Sequence, residues 1–333
     1  MAIIKESHSV YSNPSLLPER AISQRGWATM SVQTLTYGKV TWTNIENPSH
    51  EDIEVLRRNF NFHPLDLEDC LSKIERPKID EYDEYLFIVM HFPIYDRDRE
   101  VSEPAEIDFF IGASYLVTVH DGRLKPLLQL FEDCRAYEQT RQRHMSAGAS
   151  RVLHSVIDKL VDHCFPILSK VDHNIQIIED EIFTQNMRQV VQDISVVRRD
   201  IIALRRIIKP QLAIVANLEH VDRPFIREDL DVYFGDIHDH LQKVWEELEE
   251  HREVLEGLSD TSESVISYRI NDVMKILTII SVMLLPLSLI SGIYGMNVIL
   301  PGEHSLWTFP IIIGVMVFIG LAMLLFFKTR NWL

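Results

Sequence analysis

The sequence predicts an α/β cytosolic domain, a long α-helical stalk and two transmembrane helices toward the C-terminal end. Three observations predict it. Two runs without a charge, 276–294 and 306–327, fall close to the end of the chain. From about residue 149 onward apolar residues recur at helical spacing, whereas the region before it holds alternating, β-branched stretches. The chain carries a net charge of −16, and its acid excess lies ahead of the apolar runs, so soluble and membrane parts are segregated.

Taken in order, residues 1–30 are polar and irregular and predict a mobile arm. An α/β unit is expected over 31–148. Residues 34–45 alternate and are rich in Thr, Tyr, Val and Trp, which predicts a strand or hairpin. Ser49 is a candidate N-cap for a helix over 50–60, and 64–71 reads as a second short helix. Strands are expected at 85–92, 107–111 and 114–120, with Gly112-Ala113 as a turn, and a helix over 125–143. Antiparallel helices are expected over 149–225. One amphipathic helix is predicted over 150–183, with Pro166 as a possible kink, and Asn186 marks a turn. The return helix is expected to be interrupted or kinked at Lys209-Pro210.

Beyond Arg223-Pro224 no proline occurs until Pro286. Residues 226–297 therefore predict a stalk helix continuous with the first membrane span, about 100 Å long at about 1.5 Å per residue. A joint near Ser259-Asp260 is the alternative. The two uncharged runs each reach roughly 30 Å, the thickness of a bilayer core. Residues 295–305 carry no Lys or Arg, whereas Arg269, Lys275, Lys328 and Arg330 flank the other side of the two spans. The positive-inside rule then puts both termini and the acidic region in the cytosol, the loop 298–305 outside, and 328–333 as a cytosolic tail. The expected location is the inner or plasma membrane, with the lipid bilayer as partner.

Composition and motifs exclude several classes. A nucleic-acid partner wants a basic face, which this charge opposes. No phosphate-binding glycine loop, nucleophile elbow or HExxH occurs, so an enzyme has no support. Cys70, Cys134 and Cys164 lack metal-ligand spacing and read as buried thiols. The first residues hold no apolar signal-peptide core.

Stepping by three and four from Asn271 along the first span gives Met274, Thr278, Ser281, Leu285, Ser288 and Gly292. Such a row suits a pore lining, and equally suits close packing between helices in lipid. Two helices cannot enclose a water path alone, so conduction requires several copies around an axis. Residues 228–263 hold thirteen acids against Lys243 and Arg252 alone, so many of those carboxylates must be solvated, or repel if helices meet. Within that stretch Asp236 and His240 share a helix face; no third metal ligand stands nearby in sequence, and a solvated face is the plainer reading.

The stretch Tyr294-Gly295-Met296-Asn297, closing the first of two C-terminal spans, resembles the CorA-type magnesium transporter family. Asn271-Asp272-Val273-Met274-Lys275, Leu285-Pro286-Leu287, Arg76-Pro77-Lys78 before a strand, and the terminal Lys328 to Leu333 resemble it as well. The resemblance implies a homopentamer forming a pentameric funnel, with no further protein partner, that transports Mg2+ and alternatively Co2+, Ni2+ or Zn2+. It implies that Asn297 faces the external pore entrance, with Gly295 and Met296 shaping that loop, and that Asn271 forms a second polar ring. Met274, Leu277 and Leu285 would form an apolar constriction, and Ser288 stands where other members often have Thr. Cytosolic Mg2+ would close the pore by binding between subunits at Asp96, Asp236 and Asp260, joined by Asp158 or Asp162. The one acid of the loop, Glu303, lies six residues past Asn297, farther than in many relatives. A membrane-tethered scaffold or sensor that does not conduct is the alternative of another class.

Overall fold

A computed structural model describes residues 32–72, 75–183, 186–219, 231–296, 307–330 and 332. The expected arm, the expected start of the stalk at 226, Asn297 and the loop 298–305 lie outside the described residues. The elements of the first part are β1 (Val32–Tyr37), β2 (Val40–Glu46), α1 (His50–Asn59), α2 (Pro64–Asp69), β3 (Lys78–Glu81), β4 (Tyr85–Asp96), β5 (Val101–Gly112), β6 (Tyr115–His120), α3 (Lys125–Ala136) and α4 (Glu138–Met145). Then come α5 (Ala149–Asp162), α6 (Cys164–Glu181), α7 (Met187–Glu219), α8 (Asp231–Tyr294) and α9 (Thr308–Thr329).

The strands form one six-stranded sheet in the order β1-β2-β6-β5-β4-β3. Only β2 and β6 pair in parallel, which fits the long excursion of chain between them. Both faces of the sheet are covered, and β4 shows why. Leu86, Ile88, Met90 and Phe92 belong to the core shared with the long helices, whereas Phe87 and Val89 belong to a second core under α1 and α2. Side chains alternate across a strand, so a strand apolar at successive positions must be buried twice. Burying each such side chain stabilises by roughly 1.5–3 kcal/mol.

Local chemistry sets several boundaries. Ser49 caps α1 as expected: its hydroxyl accepts from the Asp52 N–H, and the Asp52 carboxylate accepts from the Ser49 N–H at 2.8 Å. The helix expected over 125–143 is instead two, because Tyr137 takes extended backbone angles. The single helix expected over 150–183 is also two, α5 and α6, meeting at His163. Pro166 offers no N–H to the carbonyl one turn back, so the junction falls just ahead of it. The interruption expected at Lys209-Pro210 does not occur. Pro210 lies inside α7, and Gln211 beside it donates to the Ile207 carbonyl at 2.9 Å.

α8 is one helix of 64 residues, passing Ser259-Asp260 without a joint and carrying Pro286 inside it. Its N-terminal half buries Phe234, Ile237, Leu241, Val244, Leu248 and Leu255. α7, α6 and α5 cover that stripe. Farther along the burial stops. Within 276–294 only Ile279 is buried, and within α9 only Phe327. Two helices with hydropathy this high and side chains this exposed are membrane spans by length and composition.

A polar chain runs through the sheet. The Trp42 indole N–H donates to Thr118 Oγ1 at 3.1 Å, and that hydroxyl donates to Asn44 Oδ1 at 2.7 Å. His120 Nε2 lies 3.0 Å from the same oxygen, and His120 Nδ1 accepts from the Gly122 N–H at 3.0 Å. The neutral ring thus uses both nitrogens, and burial pushes its pKa down to about 4. The unfolded ring titrates near 6.5, so the stability this site contributes is complete above about pH 6.5 and is lost as pH falls toward 4, by about 3 kcal/mol in all. The wild-type unfolding midpoint should therefore drop between pH 7 and 4.5 by more than that of His120→Gln, and parallel profiles would refute this. Leu160→Ala, in the core between sheet and helices, should cost about 2–5 kcal/mol in denaturant unfolding while keeping the helical signal.

Candidate functional site

The candidate ion pathway is built on one face of α8. At about 100° per residue, Asn271, Met274, Leu277, Thr278, Ser281, Leu285, Ser288 and Gly292 fall within an arc of roughly 120°. All eight are exposed in the single chain. Buried Ile279 projects to the opposite side. Two of the hydroxyls on this face, those of Thr278 and Ser281, point their protons inward. Thr278 Oγ1 donates to the Met274 carbonyl at 2.7 Å, and Ser281 Oγ donates to the Leu277 carbonyl at 2.8 Å. A hydroxyl has one proton and two acceptor lone pairs, so these side chains offer acceptors outward and no donor. Those two hydroxyl oxygens can receive hydrogen bonds from the water around a cation. Gly295 closes the span with its N–H on the Ser291 carbonyl at 2.9 Å, followed by exposed Met296.

The same face continues toward the N-terminal end of α8, away from the apolar span. Asp260, Glu263, Ser264, Ser267, Tyr268 and Asn271 line one open polar groove. Asp260, expected to sense cytosolic ions, and Asn271, expected to ring the pathway, therefore lie along a single surface three turns apart.

The other predicted acids separate. Asp96 shapes the β4–β5 turn: its Oδ1 accepts from the Asp98 N–H at 2.8 Å and the Arg99 N–H at 3.2 Å, with Arg99 Nε 3.8 Å from Oδ2. Asp236 is exposed on α8. Asp158 and Asp162, one turn apart on α5, converge with His240 of α8, their ligand atoms all within 4.8 Å of one another. Asp96, Asp236 and Asp260 are not in that group. Burial, then the Asp162 charge, raise the Asp158 pKa above the ordinary carboxylate value. The i, i+4 spacing of Asp158 and Asp162 was visible in sequence, and so was that of Asp236 and His240. What sequence spacing cannot supply is the α5–α8 contact that puts His240 with the first pair.

A family model described as "CorA-like Mg2+ transporter protein" matches residues 37–329. The chain belongs to the CorA family. This CorA-family chain is a divalent-cation transporter and not an enzyme, and its two apolar helices associate it with a membrane. It is 31% identical over 298 residues to the cobalt/magnesium transport protein CorA of Thermotoga maritima, covering 88% of this chain and 83% of that protein. It is 30% identical over 292 residues to a putative metal ion transporter of Bacillus subtilis, YfjQ, covering 87% and 89%. In fold it resembles the complete CorA magnesium transporter structure from Methanocaldococcus jannaschii, with a TM-score of 0.80 at 20% identity over 90% of this chain and 94% of that one. The full-length CmaX structure gives 0.68 at 22% identity, with 92% of each chain covered.

Proposed function

We propose that this chain assembles as a homopentamer in the inner or plasma membrane and conducts hydrated Mg2+ along the α8 face, with both termini in the cytosol. The observation that carries the reading is the polar row on the exposed α8 face, on which the Thr278 and Ser281 hydroxyls donate to the helix backbone and leave acceptors outward. Mg2+ gives up its waters reluctantly and prefers octahedral oxygen coordination. Neutral acceptors can hold the hydrated ion by its water protons, whereas rings of carboxylates would bind it too tightly for flux. Asn297, with Gly295 and Met296, forms the outer ring and Asn271 the inner one. Met274, Leu277 and Leu285 supply apolar constrictions that block conduction when dry.

Gating follows from linkage. Asp260 and Asp236 of one subunit, with Asp96 of a neighbour, hold cytosolic Mg2+ in the closed state, and Asp158 or Asp162 add to that field. Two bare carboxylates 4 Å apart repel by roughly 4 kcal/mol at an effective dielectric of about 20. Loss of the ion therefore biases the stalks apart, and an ion that binds only the closed form restores it. A second reading, transport of Co2+, Ni2+ or Zn2+, draws support from the Thermotoga relative, whose name couples cobalt with magnesium.

Asn297→Ala should reduce Mg2+ uptake into proteoliposomes to background while cross-linking still yields five subunits. Near-normal flux would remove Asn297 from the pore entrance, and flux of Zn2+ or Co2+ in preference to Mg2+ would favour the second reading. Asp260→Lys or Asp236→Ala should leave uptake intact but weaken its inhibition by internal Mg2+; an unchanged inhibition curve would take these residues out of the sensor.

A further inference from the structure

The apolar layer between the sheet and α1 and α2 ends at a carboxyl. Alternate side chains of a strand share a face, so Phe110, Asp108 and Glu106 of β5 all look toward that layer. Phe110 is buried in its core. Asp108 is flanked in register by Val89 of β4 and Val119 of β6, both members of the same core. Past it lies a cavity of about 250 Å3, walled by Cys70 and Ser72 at the end of α2 and by Asn47 and His120 at the ends of β2 and β6. We propose that this cavity binds a small organic cation with N–H donors, of the guanidinium or alkylammonium class, with Asp108 and Glu106 as its counter-charges. The site goes beyond the transport reading, since it uses no residue of α8 and needs neither a neighbouring subunit nor conduction.

Asp108 is the first support. It is only 3% exposed, and among the described residues no hydrogen-bond partner reaches its buried Oδ1. A polar oxygen left so costs the fold stability, and a valine at this position would cost nothing of the kind. Burial, then the Glu106 charge, raise the Asp108 pKa well above the ordinary carboxylate value, so alone it keeps its proton. The charges of Glu106, Asp69 and Glu75 that act on it are all negative. An incoming N–H cation takes the place of that proton and makes a charge-assisted hydrogen bond to the carboxylate.

The surrounding groups are the second. Glu106 is held in place: its Oε2 accepts from the Glu75 N–H at 2.6 Å and lies 3.2 Å from His91 Nε2. It is thus a fixed second carboxylate on the same face of β5. Asp121, also on the wall, is already engaged, its Oδ2 accepting from Arg123 Nε at 2.6 Å. The Cys70 thiol donates to the Asp66 carbonyl at 3.3 Å, and burial pushes its pKa up, so it is a neutral wall and not a thiolate.

Size and spacing select the ligand. Among the described residues Cys70, Glu106, Asp108 and His120 do not form a group whose ligand atoms converge as those of a metal site do. Both His120 nitrogens are committed, to Asn44 and to the Gly122 N–H. An organic cation is wider than a bare ion and spans donors placed farther apart. The cavity is smaller than the roughly 300–1,000 Å3 of sites for drug-sized ligands, so the cation is a small one.

The test is a ligand-observed NMR titration of the full-length protein in non-ionic detergent with methylguanidinium and methylammonium. At least one probe should bind saturably, and tetramethylammonium, a cation without an N–H, should not. Tighter binding of methylguanidinium assigns the guanidine class, and tighter binding of methylammonium the amine class. Asp108→Asn should weaken binding about tenfold or more, the scale of one hydrogen bond to a charged group. Glu253→Gln, at an exposed acid of α8, should leave it unchanged. Should Asp108→Asn perturb folding, Ser72→Trp at the exposed rim provides the same readout by narrowing the mouth. The site is overturned if neither probe saturates, if both variants bind like the wild type, or if millimolar Mg2+ displaces the probe. No flux is read, so this outcome is independent of whether the Asn297 variant transports.

Discussion

Inside a bilayer no water is available to satisfy a backbone N–H or carbonyl, so a segment that crosses it must bond its own main chain. α8 meets that requirement save for the N–H that Pro286 lacks, and extends the same hydrogen-bonded rod far beyond the apolar span. The rest of the chain is arranged around this helix. At its N-terminal end a stripe from Phe234 to Leu255 is buried against α7, α6 and α5, and these connect to the sheet. At its membrane end almost nothing within the subunit covers it, and α9 touches it along a short contact. The apolar side chains left open there are the surface that lipid and other copies of the chain would meet.

Much of this was legible in the sequence because the relevant signals are local. The uncharged runs, the alternation over 34–45, the Ser49 cap and the long proline-free stretch each report on their own neighbourhood, and each corresponds to an observed element. The failures have equally physical causes. Pro210 does not end its helix, because a helix supported by neighbours on several sides tolerates one missing bond. Pro166 drew attention to itself, while the break fell three residues earlier at His163. The gap at Tyr137 carries no helix-breaking residue at all, so only the tertiary arrangement records it. The orientation of the Thr278 and Ser281 hydroxyls and the meeting of His240 with α5 also depend on three-dimensional placement.

The acidic stretch changes meaning in the same way. Counted along the sequence, it looks like thirteen charges in mutual repulsion. In the fold, Arg252 engages Glu249 at 3.3 Å and Glu256 at 2.6 Å, Arg205 of α7 reaches Glu249 at 2.6 Å, and His251 lies 3.6 Å from Asp172 of α6. These contacts absorb part of the charge where α8 is packed against its own subunit. Asp236 and Asp260 remain exposed, as do Asp239, Glu246, Glu250 and Glu263.

The length of α8 has a mechanical side. Its 64 residues make a rod of about 96 Å at about 1.5 Å per residue. Pivoting such a rod by about 2° carries its far end by about 3 Å, close to the width of a water molecule. Small adjustments where the helix leans on α7 therefore arrive in the membrane as displacements on the scale of the solvent itself. The same leverage works in reverse, so crowding of side chains around the membrane span is felt at the sheet as a barely perceptible change of angle.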